Sequence, residues 1–123
     1  MKYQLHPRKQ VFLYFLFYKP YNVLSQFTSN EGKRTLAEFN FPPNIYCVGR
    51  LDEKSEGLLL LTNDGLLKHQ LLNWENAHSR TYLVQVEGVP DEITLNKLRT
   101  GISIKSKNTR SHFTTRPADI EFL

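Results

Sequence analysis

The chain has 123 residues, an apolar content of 40% and a formal net charge of +4. This length suits one domain with a hydrophobic core, and the composition excludes fibrous and low-complexity proteins. The single cysteine excludes a disulfide framework and a cysteine-based zinc site, so the reducing cytoplasm is the expected location. The most apolar run, residues 11–17, is too short to span a bilayer and is not followed by a signal-peptide cleavage site.

Basic residues are concentrated in two segments that contain no acidic residue. The first, residues 1–20, holds Lys2, Arg8, Lys9 and Lys19. The second, residues 97–116, holds Lys97, Arg99, Lys105, Lys107, Arg110 and Arg116. This distribution is compatible with binding to the phosphate backbone of a nucleic acid, and a basic face that is merely solvated is the alternative.

The first half of the chain predicts short strands separated by polar turns. A basic lead-in, residues 1–10, precedes an aromatic-rich run that predicts a buried strand at residues 11–17. A turn at residues 19–22 follows. The next predicted elements are strands at residues 23–27 and 45–48, a polar loop at 28–33, and a short helix that Thr35 caps and that ends at residue 39 before Pro42 and Pro43.

The second half predicts two helices and further strands. Four leucines at residues 58–61 indicate a buried strand, after which Asn63 or Asp64 can cap a helix. The apolar positions of that helix are Leu66, Leu67, Leu71, Leu72 and Trp74. A polar loop at 73–80 and a strand at 81–87 follow. Asp91 is predicted to cap a second helix, with Ile93, Leu95 and Leu98 turned inward and Gly101 just past its end. The remaining predicted elements are a strand at 102–104, a basic loop at 105–110 and extended chain over 113–123.

Helices and strands therefore mingle without strict alternation. This pattern predicts the α+β class, with a mixed, mostly antiparallel sheet and flanking helices. The predicted domain organisation is the lead-in at residues 1–10 followed by one domain over 11–123.

The leading candidate for chemistry is Asp52, which lies between Arg50 and Lys54 in a loop bounded by Gly49 and Gly57. A carboxylate on a loop that is anchored by a buried strand can hold a reactive group still on a rigid frame. The alternative is a charged turn beside a core strand, and spacing alone favours that alternative because most surface aspartates are only solvated.

Other chemistries find little support in the sequence. The chain has no glycine-rich phosphate loop, no nucleophile elbow around a serine, and no metal-ligand spacing among its histidines, which leaves Asp52 as the leading candidate. Cys47 lies in an apolar run and is expected to be a small buried side chain. A nucleophilic Cys47 is the alternative, although no activating residue adjoins it.

Several segments resemble the ribosomal RNA pseudouridine synthases of the RsuA type. The longest is Gly49-Arg50-Leu51-Asp52, continued by the residues from Ser55 to Gly65, which is similar to the signature of that family. Tyr18-Lys19-Pro20 with Val23-Leu24-Ser25 resembles the family's first motif. The run from Arg80 to Gly88 resembles the segment that carries its active-site tyrosine, and Leu98-Arg99-Thr100-Gly101-Ile102 resembles the helix end and strand that follow.

The resemblance implies isomerisation of a uridine in ribosomal RNA, of the large subunit, to pseudouridine without a cofactor. It implies that Asp52 is the essential aspartate, acting on the ribose either as a nucleophile or as a base. Tyr82 would contact the flipped base and assist proton movement at its ring. Arg50, Lys19, Lys54 and Arg80 would bind the RNA substrate. The expected partner is ribosomal RNA, with no membrane and no metal, and the chain is expected to be a monomer.

Two differences from the family matter. Many relatives carry a small RNA-binding domain ahead of the catalytic domain, and we expect this chain to belong to the subgroup without one, because few residues precede its first motif. The family also continues with an arginine motif whose arginine pairs with the catalytic aspartate, and residues 101–123 contain no match to it. We therefore expect residues 11–123 to be the N-terminal part of a catalytic domain, with a non-catalytic RNA-binding fragment or an inactive truncated product as the alternatives.

Overall fold

The computed structural model describes residues 9–29 and 31–123. Most of the predicted basic lead-in, residues 1–10, lies outside these described residues. The chain divides into two compact units, one ending at Arg80 and the other spanning Thr81–Leu123.

The first unit is built on a three-stranded antiparallel sheet with β3, Gly57–Thr62, at its centre. β1, Tyr14–Lys19, pairs with one edge of β3, and β2, Tyr46–Val48, pairs with the other. Tyr14 is opposite Thr62 and Lys19 is opposite Gly57. The strand that we predicted at residues 11–17 is thus displaced along the chain, because the backbone of Val11 and Leu13 bonds to the side chains of Asn63 and Thr62 instead.

One face of this sheet carries the core of the unit. Its fully buried apolar residues are Val23, Leu36, Ile45, Leu59 and Leu61. Phe41 contacts the rings of Phe15, Phe17 and Phe27 in edge-on geometry, with centroids 5.2–6.2 Å apart. Such aromatic contacts stabilise the core beyond the burial of area alone.

The opposite face of the sheet is apolar and exposed. Its members more than half exposed are Tyr14, Leu16, Tyr18, Tyr46 and Leu58. The prediction that all four leucines of residues 58–61 are buried is therefore wrong for Leu58, which is 68% exposed. Successive residues of a strand point to opposite faces, and only Leu59 and Leu61 of β3 point into the core.

Short helices complete the first unit. A 3-10 helix, Leu36–Phe39, begins at Thr35, whose hydroxyl accepts from the amide of Ala37 as an N-cap. Helix α1, Gly65–Leu72, is capped by Asp64, whose carboxylate accepts from the amide of Leu67 at 3.0 Å. These findings confirm both predicted caps.

Two further predictions for the first unit were wrong. Residues 23–27 form no strand, only an isolated bridge between Leu24 and Thr35, because the partner segment turns directly into the 3-10 helix. The predicted loop at 73–80 includes a further 3-10 helix, Trp74–Asn76, since the side chain of Asn73 caps it by accepting from the amide of Glu75. Trp74 consequently lies outside α1 and is 72% exposed.

The second unit contains helix α2, Glu92–Thr100, and a hairpin of β4, Ser103–Lys105, with β5, His112–Thr114. Asp91 caps α2 by accepting from the amide of Thr94 at 2.7 Å, as predicted. Of the three side chains expected to turn inward, Leu95 is buried, whereas Ile93 is 69% exposed. The strand predicted at 102–104 begins one residue later, because Ile102 bonds to Thr115 outside the ladder.

The strand predicted at residues 81–87 is not formed. This stretch has the alternating pattern of a strand, but none of the described strands pairs with it. A strand exists only through hydrogen bonds to a neighbour, so a suitable pattern is not sufficient. The α+β class is nevertheless confirmed, with antiparallel pairing in both sheets. No helix in the described residues is long and apolar enough to cross a membrane.

Candidate active site

The loop that contains Asp52 connects β2 to β3, two strands that pair side by side in the first unit. We call residues 50–56 the Asp52 loop. It is bounded by Gly49 and Gly57, whose φ angles are +82° and +142°. Side chains with a Cβ rarely adopt these angles, so glycine at both positions allows the chain to leave one strand and enter the next.

Within this loop, the chain makes a tight turn that begins at Asp52. The amide of Ser55 donates to the carbonyl of Asp52 at 3.0 Å. The Asp52 side chain is exposed, and its carboxylate forms no hydrogen bond or ion pair with any other described residue. The turn therefore presents the carboxylate to solvent, where a substrate can reach it.

Ser25 holds the chain immediately before Asp52. Its hydroxyl donates to the carbonyl of Leu51 at 2.8 Å and accepts from the amide of Leu51 at 3.0 Å. Ser25 is only 5% exposed, so these two bonds satisfy both the hydroxyl and the backbone of Leu51 away from water. The position of Asp52 is thus fixed on its N-terminal side.

Lys19 holds the chain immediately after Asp52. Its side chain is fully buried, and Nζ donates to the carbonyls of Pro20 and Val23 at 2.8 Å and of Glu53 at 3.4 Å. Burial lowers the pKa of the Lys19 ammonium, an effect that nearby acidic residues, Asp52 among them, partly offset. Lys19 therefore joins the turn after β1 to the Asp52 loop.

This arrangement differs from the RNA contact that the sequence suggested for Lys19. We expected the residue in an open turn, but the structure places it at the end of β1 with no exposed surface. An ammonium has three N–H donors, and three carbonyl groups already surround this one. In this conformation Nζ is not available to a phosphate group.

The other charged residues of the loop are exposed, apart from Glu53, which is half-buried. The Arg50 guanidinium donates to Oε1 of Gln26 at 2.6 Å, and Glu53 forms an ion pair with Lys33 at 3.2 Å. Lys54 is exposed and forms no ion pair within the described residues. Arg50 and Lys54 therefore both lie on the solvent side of the loop that carries Asp52.

The remaining two predicted site residues lie where the two units meet in sequence. Arg80 is the last residue of the first unit and Tyr82 the second residue of the other unit. Both are exposed, Tyr82 by 59% of its surface. Among the described residues, neither side chain has a hydrogen-bond partner.

Cys47 lies in β2, the strand that leads into the Asp52 loop. Its Sγ lies 3.6 Å from the carbonyl of Ser25, and burial raises the pKa of the thiol. A raised pKa disfavours the thiolate, which is the nucleophilic form. The geometry thus agrees with the structural role that the sequence favoured for this residue.

Sequence reasoning missed the supporting roles of Ser25 and Gln26. Both belong to the segment predicted as a strand at residues 23–27, and contacts with a loop 24–26 residues away leave no periodic pattern. For Lys19, an available signal was its place at the end of an apolar strand, where a lysine reaches carbonyl groups of the following turn.

Comparison with known proteins gives a consistent result. A profile of the family described as RNA pseudouridylate synthase matches residues 13–120. Over 107 residues the chain is 49% identical to the ribosomal large subunit pseudouridine synthase E of Xanthomonas axonopodis pv. citri, covering 85% of this chain and 53% of that protein. The protein of the same name from Vibrio vulnificus is 45% identical, with 88% of this chain and 44% of the relative covered.

A solved crystal structure of a pseudouridylate synthase has the same fold. It superposes with a TM-score of 0.75 at 28% identity, and covers 94% of this chain and 49% of its own chain. The chain thus spans about half the length of the proteins it matches.

Proposed function

This chain belongs to the RNA pseudouridylate synthase family, and we propose that it carries the catalytic loop of an enzyme that isomerises a specific uridine of ribosomal RNA to pseudouridine. The relatives named for the large ribosomal subunit support large-subunit RNA as the substrate. The observation that carries the proposal is the Asp52 carboxylate, exposed on a turn that Ser25 and Lys19 fix from both sides.

The proposed reaction is a rearrangement with no net gain or loss of atoms. The bond between N1 of uracil and C1′ of ribose breaks, and a bond between C5 and C1′ forms. The proton on C5 leaves, and N1 gains one. A carboxylate suits the first stage as a nucleophile on the sugar or as a base toward it, and an exposed, solvated Asp52 is available in either role.

The remaining roles follow from exposure and charge. We assign Tyr82 to stacking against the extruded base and to proton movement at its ring, because an exposed aromatic ring compensates a base taken out of its stack. Arg50, Lys54 and Arg80 are exposed cations that would contact RNA phosphates. Lys19 acts instead by positioning the loop. The setting that we propose for this reaction is the cytoplasm.

The test is to express the whole reading frame that contains these residues and incubate the protein with unmodified ribosomal RNA. Mapping pseudouridine should reveal one modified position, and Asp52→Asn should reduce the rate at least about 10²-fold. Lys54→Gln, which removes a charge from the same loop, serves as a control and should weaken binding without abolishing turnover. RNA binding with no pseudouridine formed would contradict the proposal and favour an RNA-binding protein without activity.

A further inference from the structure

The β4–β5 hairpin of the second unit carries a dense set of cations. Residues 93–118 contain no acidic residue, and the hairpin and its flank present Lys105, Lys107, Arg110 and Arg116 as exposed side chains. None of these four forms an ion pair with another described residue. Arg99 is different, because it pairs with Glu92 at 3.1 Å.

The hairpin is fixed at its base. The amide of Thr115 donates to the carbonyl of Ile102 at 2.8 Å, and the amide of Ile102 donates to the hydroxyl of Thr115 at 2.9 Å. A Cβ on Gly101 would lie 2.5 Å from the carbonyl oxygen of Thr115, so only glycine permits this close approach. The cationic tip therefore projects from an anchored stem.

The register sorts the hairpin side chains onto two faces. Ile104 is opposite Phe113, and the neighbouring pair, Lys105 opposite His112, points to the other face. Phe113 is 53% exposed and Ile104 is 37% exposed. Phe113 and Lys105 therefore lie on opposite faces of the hairpin, while Lys107 and Arg110 lie in the turn that connects its two strands.

We propose that this hairpin is a second RNA-binding surface, which holds an unpaired strand by cation–phosphate contacts from Lys107 and Arg110 of its turn and by stacking of one base on Phe113. Charge complementarity selects a polyanion, and an exposed aromatic ring on the same hairpin selects a strand with accessible bases. The inference deepens the proposed function and rests on it, since it takes the substrate to be RNA.

The first test measures binding of the purified protein to a labelled single-stranded RNA that contains uridine, as a function of KCl concentration. The variant Lys107→Gln/Arg110→Gln should lower the log–log salt slope by about 1.4, because each single-strand phosphate contact contributes about 0.7. The matched control, Arg34→Gln/Lys97→Gln, removes the same charge at two other exposed positions and should change the slope by less than half as much. Equal slopes for the two variants would overturn the proposal.

The second test separates stacking from charge. Phe113→Leu keeps an apolar side chain of similar bulk and should weaken binding of single-stranded RNA about tenfold, with the salt slope unchanged. Unchanged affinity would overturn the stacking part. Circular dichroism should show all variants folded, as expected for exposed positions. Charge-dependent retention on anionic vesicles with no retention of RNA would assign the hairpin to membrane surfaces and overturn the proposal.

Failure of this inference and failure of the proposed function give different results. If pseudouridine forms and the hairpin variants leave KM unchanged, the hairpin proposal fails and the function stands. If the hairpin variants lose RNA binding while the unsubstituted protein forms no pseudouridine, the hairpin proposal stands and the function fails.

Discussion

Ser25 bonds through a single hydroxyl to both backbone polar groups of Leu51, the residue that precedes Asp52. This contact fixes two consecutive peptide units with one side chain. Ser25→Ala should leave the amide and carbonyl of Leu51, which are partly buried, without these partners, at a cost of about 1–3 kcal/mol in the free energy of unfolding.

The same substitution should slow the proposed reaction through the position of Asp52. We expect kcat to fall about 10- to 100-fold while KM for RNA changes little, since small misplacement of a reacting group is costly. Steady-state kinetics over a range of RNA concentrations measures both quantities. Ser29→Ala is the control, because it also removes a hydroxyl that accepts from backbone amides, those of Glu31 and Lys33. Partial recovery by Ser25→Thr is expected because threonine restores a hydroxyl. Equal loss of kcat in Ser25→Ala and Ser29→Ala would contradict the positioning role.

Because Lys19 is buried, we expect its substitution to affect protein stability and not the affinity for RNA. Lys19→Met should lower the free energy of unfolding by about 2–3 kcal/mol, because charge-assisted bonds to backbone carbonyls are lost. The RNA salt slope of the folded variant should be unchanged. Lys54→Met should change the free energy of unfolding by no more than about 0.5 kcal/mol and should reduce the RNA salt slope. Urea unfolding and salt-dependent binding distinguish the two residues, and a reduced slope for Lys19→Met would show that Nζ reaches RNA.

The glycines around the Asp52 loop should differ from a glycine at a helix start. Gly49→Ala should destabilise the protein by about 1–2 kcal/mol, because its φ of +82° is unfavourable for a residue with a Cβ. Gly65 is the first residue of α1, and a Cβ there meets no atom within 4 Å. Gly65→Ala should therefore be neutral or stabilising by up to about 1 kcal/mol. Thermal unfolding compares the pair, and equal effects would contradict the strain argument.

The bond between the Tyr14 hydroxyl and the Asp64 carboxylate, 2.8 Å long, should make stability depend on pH at both extremes. Bonds from the Leu67 amide and the Tyr14 hydroxyl lower the pKa of Asp64 from 3.8. That contribution is present above 3.8 and is lost as pH falls through the lowered value. The bond to Asp64 raises the pKa of Tyr14 from 10.0, so its contribution is present below 10.0 and is lost as pH rises through the raised value.

Tyr14→Phe should therefore be less stable than the unsubstituted protein between these limits and approach it in strong acid and strong alkali. Urea unfolding at a series of pH values measures the difference. The control is Tyr21→Phe, because Tyr21 is exposed and has no side-chain hydrogen bond in the described structure. This variant should show no pH-dependent difference in stability. A deficit for Tyr14→Phe that is the same at every pH would rule out the ionised pair as its origin.

Features that depend on near neighbours in sequence could be predicted well. Thr35, Asp64 and Asp91 each cap a helix that begins at the next residue, because an N-cap needs only a side-chain oxygen and an amide two or three residues away. The loop containing Asp52 could be placed between two strands for a similar reason, since glycines and charges bound it locally.

Features that depend on residues distant in sequence could not be predicted. Residues 81–87 alternate like a strand, and only the absence of a pairing strand in the described structure distinguishes them from one. The burial of Lys19 depends on carbonyls contributed by residues as far away as Glu53. The roles of Asp52, Tyr82, Arg50, Lys54 and Arg80 in catalysis and RNA binding stay predictions.

The central strand β3 is apolar on both faces, and this has a consequence for how the chain finds its alignment. In a strand with one polar face, a register shift of one residue exposes the core side chains and therefore costs free energy. A run of four leucines loses little burial by such a shift. Polar side chains at the end of β3 instead make the shifted register unfavourable. Thr62 and Asn63 bond to the backbone of Leu13 and Val11, and each bond exists in only one alignment. A slipped ladder would direct the ammonium of Lys19 to the opposite side of the sheet, so correct alignment of strands far from Asp52 decides whether the loop that carries this carboxylate is held in place.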